Sequence, residues 1–182
     1  IPCFGLFLGV AAIILGVRGK RAINLNPDLP GKTHAAVGIW VGGFSVLAHA
    51  VLAERTPALM VGGVIGDWIK GLLPAGLPAD LAQGVVLHRA IDGFVETHPA
   101  FRCSRSRISQ ERRRYAGVLV DIFYDHVLAR DWERFRPDGL PMYCQSVYRQ
   151  IEARLNELPE SASFAMRLMA REDWLQSYAE LD

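Results

Sequence analysis

Two long apolar runs open the chain. Residues 1–17 carry no charged side chain and neither do residues 35–53, while RGKRAINLNPDLPGKTH between them gathers charge, proline and glycine. Seventeen helical residues rise about 26 Å, close to the hydrocarbon thickness of a bilayer, about 30 Å. The pattern predicts an apolar helical hairpin over 1–45 with its basic loop in the cytoplasm, and membrane association through residues 1–53. The competing reading makes 35–53 the first buried helix of the domain that follows, which His49 within it supports.

From residue 54 onward the apolar positions recur at helical spacing, and the strict alternation of a strand is missing, so the fold class is all-α. Thr56-Pro57 opens a helix reaching residue 71, with Pro at a starting position. A second spans 78–97 and ends at His98-Pro99. One long continuous helix is expected over 110–135, stopped by RPDG, followed by helices over 141–158 and 162–181. The domain boundaries are therefore 1–45 and 46–182.

Composition sharpens this division. Hydrophobic residues make up 51% of the chain, and the formal net charge is +1. Residues 1–45 hold Arg18, Lys20, Arg21 and Lys32 against Asp28, whereas 46–182 hold 16 basic and 18 acidic groups. Neither part has the basicity of a nucleic-acid binder. Cys3, Cys103 and Cys144 form no zinc or disulfide spacing, which fits reduced thiols in the cytoplasm.

The chemistry begins where charge interrupts apolar sequence. VLVDIFYDHVLARDW (118–132) places Asp121 and Asp125 on one helical face with His126 beside them. VVLHRAIDGF places His88 and Asp92 at i and i+4, GDW places Asp67 between apolar neighbours, and His49 is a fourth candidate in VLAHAVLA. Each pair alone reads as a satisfied core ion pair. Together, two imidazoles and four carboxylates on three helices read as a nitrogen and oxygen site for a divalent ion, which removes the cost of burying carboxylates. Spacing does not say which of the six touch the ion. Asp67, His88, Asp92 and Asp121 are the groups most deeply framed by apolar neighbours and are the expected ligands. Arg89 is placed to hold a phosphate oxygen.

LAH at 47–49, GDWIKG at 66–71, LHRAIDGFVETHPAFR at 87–102 and RRRYAGVLVDIFYDHVLARDW at 112–132 resemble the acyl carrier protein phosphodiesterases, all-helical proteins of the HD phosphohydrolase group. The likeness runs from about residue 46 to the end. It implies hydrolysis of the phosphodiester joining 4′-phosphopantetheine to a serine of acyl carrier protein. It also implies a divalent metal, manganese first with Fe2+, Co2+ or Mg2+ as alternatives. By the resemblance Asp67, His88, Asp92, Asp121, Asp125 and His126 fall on motif positions, with Asp67, Asp125, His126 and Arg89 in catalytic roles. Ser45-Val46 stands where the family carries Asn-Phe, and Val51 where a second His often follows. The family runs on for a few tens of residues past LQSYAELD, so a C-terminally shortened domain is expected.

Acyl carrier protein is the expected partner. Arg102, Arg105, Arg107, Arg112, Arg113 and Arg114 are opposed by Glu111 alone, and such a cluster suits an acidic protein. Arg114, next to YAGVLVD, is expected to be structural and the other five to make contact. The cluster lacks the interleaved aromatics of a nucleic-acid surface. The rival readings are a nucleotide phosphohydrolase and an inactive, membrane-tethered carrier-protein binding module. The expected location is the cytoplasm, at the inner face of the membrane if the hairpin inserts.

Overall fold

The computed structural model describes residues 45–180, so the expected hairpin over 1–45 lies outside the described residues. What is described is all-helical: α1 (Val46–Leu52), α2 (Pro57–Ile65), α3 (Ala79–Thr97), α4 (Pro99–Ser106), α5 (Ala116–Arg130), α6 (Leu140–Glu152), α7 (Glu160–Arg171) and α8 (Trp174–Ser177). Short 3-10 turns join several of them. Among the described residues no helix is long and apolar enough to cross a membrane.

Local chemistry explains where these helices begin. The Thr56 side chain accepts the Leu59 amide (3.2 Å) and Pro57 occupies the first turn of α2, where its missing N–H costs nothing. His98 closes α3 and starts α4, its Nδ1 accepting the Ala100 amide at 3.2 Å. The sequence expectation stopped at His98-Pro99 and overlooked α4, a short basic helix that buries only Phe101.

The long helix expected over 110–135 is broken. Gln110–Tyr115 is a 3-10 turn, α5 proper spans Ala116–Arg130, and Trp132–Arg134 turns tightly again. The helices expected to reach 71 and 158 end earlier, their last turns tightening at Gly66–Trp68 and Leu155–Glu157. The one expected over 162–181 divides into α7 and α8, whereas the helix expected over 78–97 ends at Thr97 as read.

The core is built on the crossing of α2 and α3, with α1, α6, α7 and α8 packed around it. Leu47, Ile65, Leu81, Val85, Ile151, Met166 and Leu175 are fully buried, each contributing about 1.5–3 kcal/mol relative to exposure. The two central helices touch backbone to backbone at Gly62 and Gly84; a Cβ on Gly84 would stand 2.6 Å from the Gly62 Cα. That close approach brings the middle of α3, and hence His88, against the end of α2. At the periphery Arg136 joins Glu54 to Asp138, and Arg154 joins Asp80 to Glu157.

Candidate metal centre

Two histidines from different helices meet at the core's edge. His49 lies in the middle of α1 and His88 in the middle of α3, and their rings stack with centroids 4.1 Å apart. Each ring is oriented through Nδ1. His49 Nδ1 lies 2.6 Å from the Ser45 carbonyl oxygen and His88 Nδ1 lies 2.7 Å from that of Gly63. A carbonyl can only accept, so both Nδ1 atoms carry hydrogen, and Nε2 is the atom each ring turns toward the site. This is the orientation that ligating histidines adopt, with the distal nitrogen anchored to the backbone.

Both Nε2 atoms face Asp92. Its Oδ1 is 3.1 Å from His49 Nε2 and its Oδ2 is 3.2 Å from His88 Nε2; Asp67 Oδ1 adds a contact to His88 Nε2 at 3.5 Å. His49 Nε2 is buried and, despite its closeness to Asp92, has no partner with hydrogen-bond geometry among the described residues. Lone pairs facing carboxylate oxygens repel unless a proton or a cation lies between them. His49, His88 and Asp92 offer three ligand atoms within 4.8 Å of one another, a donor set that fits a divalent ion. The imidazoles form the closed floor of the site, each 4% exposed, while the Asp92 side chain is 48% exposed and forms its mouth.

Proton affinities record the same crowding. Burial opposes charge on His88, but Asp67 and Asp92 overcome it and push its pKa up to about 10. Burial also opposes charge on Asp92, and there the two imidazoles win, holding its carboxyl well below the usual range. Asp121 goes the other way: burial, reinforced by the negative charges of Asp92, Asp125 and Asp67, raises it to about 7. Asp125 is raised to about 7 by burial, against two opposing backbone hydrogen bonds.

These shifts set a pH dependence for the metal-free protein. Between about pH 4 and 7, folded Asp121 and Asp125 keep protons that the unfolded chain has released, so stability falls as pH rises. The His88 contribution is whole below 6.5 and is lost as pH climbs towards about 10, in the same direction. Chelator-treated protein is therefore expected to melt at progressively lower temperature from pH 5 to pH 9. Saturating Mn2+ should flatten the upper part of that slope, because the ion replaces the proton on His88. Parallel melting curves with and without the ion would argue against a metal at this cluster.

The expected ligands Asp67, His88, Asp92 and Asp121 fall on one side of the fold, but the tight group is His49, His88 and Asp92, with Asp67 at its edge. His49 is the residue that the ligand set read from sequence omits. Asp125 is engaged elsewhere: fully buried, it accepts the Leu47 amide (3.0 Å) and the Ala48 amide (2.9 Å) at the start of α1. His126 Nδ1 donates to the Tyr178 carbonyl at 2.7 Å, joining α5 to the last turn. Arg89 donates to the Ile69 carbonyl at 3.0 Å, just past the turn that carries Asp67.

Gly66 holds this arrangement open. A Cβ there would fall inside the His88 ring, against Cγ and Cδ2. Gly66→Ala should therefore swing His88 out of line and weaken metal affinity at least about tenfold, or about 1.4 kcal/mol, with helix content kept. Calorimetric titration with Mn2+ checks it, and unchanged affinity would show that the ring does not need its present position.

The six arginines between Arg102 and Arg114 are all exposed, and none meets a carboxylate among the described residues. Arg130, Arg134, Arg136, Arg154 and Arg171 each do. Arg114 lies over the ring of buried Tyr115, with its guanidinium 4.6 Å from the centroid. Arg105 lies over Phe101 at 5.9 Å.

Residues 45–182 match the family model described as acyl carrier protein phosphodiesterase. Curated relatives carry the same name. The chain is 32% identical over 136 residues to the protein of Photorhabdus laumondii, covering 74% of this chain and 69% of that one. It is 35% identical over 138 residues to that of Serratia proteamaculans, covering 74% and 70%. The Yersinia pestis relative is 30% identical over 136 residues, covering 74% and 70%. No solved structure matches the chain.

Proposed function

The chain belongs to the acyl carrier protein phosphodiesterase family, and on that premise we propose that it hydrolyses the phosphodiester between 4′-phosphopantetheine and the serine of holo-acyl carrier protein. The products are free phosphopantetheine and the apo-protein. The observation that supports a metal-dependent version of this reaction is the pair of buried imidazoles whose Nε2 atoms converge on Asp92 without a satisfactory hydrogen bond for His49. His49, His88 and Asp92 would hold the ion, with Asp67 and Asp121 beside them. Imidazole nitrogen suits transition metals better than Mg2+, while the carboxylates of Asp92, Asp67 and Asp121 suit a harder ion, and Mn2+ is the ion proposed for the mixed set.

When bound, the ion supplies Lewis acidity toward the phosphoryl group and acidifies water near it. The protein supplies orientation and protons. The Ser45 and Gly63 carbonyls fix both rings, and the exposed Asp92 and Asp67 edge admits the diester. Arg89 retains guanidinium N–H groups beyond the one bound to Ile69, for a phosphoryl oxygen. As water adds to phosphorus and the bond to the serine oxygen breaks, that oxygen needs a proton. Asp121, which burial pushes above the usual carboxylate range, is the group proposed to give it. His126, with Nδ1 committed to Tyr178, keeps Nε2 free for proton exchange with solvent. Asp125 acts at a distance by holding the start of α1.

Mass spectrometry of holo-carrier protein incubated with the enzyme and Mn2+ tests the reading. Release of phosphopantetheine that stops on chelation is expected, and an intact holo-protein after saturating metal would sink it. The unpaired arginines of α4 and the following turn are the proposed carrier contact, which accords with a cytoplasmic setting. Reversing Arg105 and Arg107 to Glu should raise KM for carrier protein about tenfold at low salt and flatten its salt dependence, since exposed attractions are screened over about 8–10 Å. A fall in kcat with unchanged KM would instead give these residues a structural role.

A further inference from the structure

Asp67 and Trp68 are neighbours in one 3-10 turn and face different spaces. Asp67 turns to His88 Nε2, whereas Trp68 lines an open cleft of about 800 Å3 shared with the segment running from Leu155 into α7. The volume lies within the range of small-molecule sites, about 300–1,000 Å3. Its apolar wall is Trp68, Leu158 and Phe164, and Phe164 is 55% exposed. Its polar lining is Asn156, Glu160, Ser161, Ser163 and Arg167, whose side chains have no hydrogen-bond or ion-pair partner among the described residues.

We propose that this cleft receives the pantetheine arm of the substrate, an inference that rests on the phosphodiesterase reading above. Trp68 follows Asp67 directly in the chain, so the cleft's near wall stands one residue from the metal centre, and an arm attached to a phosphoryl group there has only to pass over that turn to reach it. Pantetheine alternates amides with an apolar gem-dimethyl group, which matches unpaired amide, hydroxyl and guanidinium groups set in an apolar wall. A bare acyl chain fits less well, because it would strip water from those groups and return no hydrogen bonds. The arginine-bearing α4 packs instead on α3 and α5, which leaves the cleft to the arm and the basic surface to the protein body.

Saturation-transfer NMR with free pantetheine tests the cleft without any turnover. Wild-type protein should transfer saturation to the gem-dimethyl protons. Ser163→Trp, which fills the cleft, and Phe164→Glu, which charges its wall, should each weaken binding at least about tenfold. Because Phe164 is already exposed, its replacement leaves the core intact, and melting curves verify that both variants fold. Absence of transfer to wild-type protein, or equal transfer to a folded variant, overturns the proposal. Cleavage of holo-carrier protein is read separately: pantetheine bound in the cleft with no cleavage sinks the phosphodiesterase reading alone, and cleavage without pantetheine in the cleft sinks the cleft alone.

Discussion

His49→Ala is expected to strip the divalent ion from the purified protein and lower turnover of holo-carrier protein about a thousandfold or more, a loss of at least about 4 kcal/mol of transition-state stabilisation. The side chain is 4% exposed, and its Nδ1 is already bound to the Ser45 carbonyl, so all that remains of its chemistry is Nε2. Among the described residues that atom has no partner with hydrogen-bond geometry, and it stands 3.1 Å from Asp92. Elemental analysis beside a phosphopantetheine-release assay decides the matter: a variant retaining stoichiometric metal and wild-type turnover would remove His49 from the centre. His49→Gln separates packing from ligation, because it restores bulk without an imidazole nitrogen.

Asp125→Ala should cost about 2–4 kcal/mol, since it leaves two buried helix-terminal amides without an acceptor. For a chain of this size that lowers the melting temperature by roughly 5–15 °C. The Ser45 backbone sits in the left-handed region at φ 87° and its side chain makes no capping bond, and among the described residues Asp125 supplies that cap from α5. His49 rides on the helix so anchored. Metal affinity should therefore fall together with stability, whereas a purely catalytic carboxylate would lower kcat and leave the melting curve in place. Thermal unfolding with and without Mn2+, read against kcat, separates the two.

The differences between expectation and structure have specific causes. Thr56-Pro57, His98-Pro99 and RPDG mark real boundaries because capping and proline chemistry is local and needs no tertiary partner. The break before Ala116 was hidden because Tyr115, Val118 and Ile122 keep helical spacing across it, forming a small apolar cluster of their own. His88 and Asp92 could be paired from their i, i+4 spacing within one helix. His49 could not, since its partner Asp92 sits on a different helix and its own run is otherwise uncharged. Asp125 was open to misreading for a related reason. A buried carboxylate beside a histidine reads as chemistry, while its actual partners are main-chain amides 77 and 78 positions away, which carry no side-chain signature.

The tether between Asp125 and α1 also bears on how the chain folds. His88 and Asp92 come together as soon as α3 forms, but His49 reaches them only once α1 has docked, and the tether that fixes α1 to Asp125 closes a loop of 78 residues. Closing such a loop is a late, topology-limited event. A metal ion in the refolding mixture thus meets a two-point site early and the three-point site only near completion. Tight metal capture reports a finished fold, and the ion acts as a final lock on the native state rather than as a nucleus around which the helices gather.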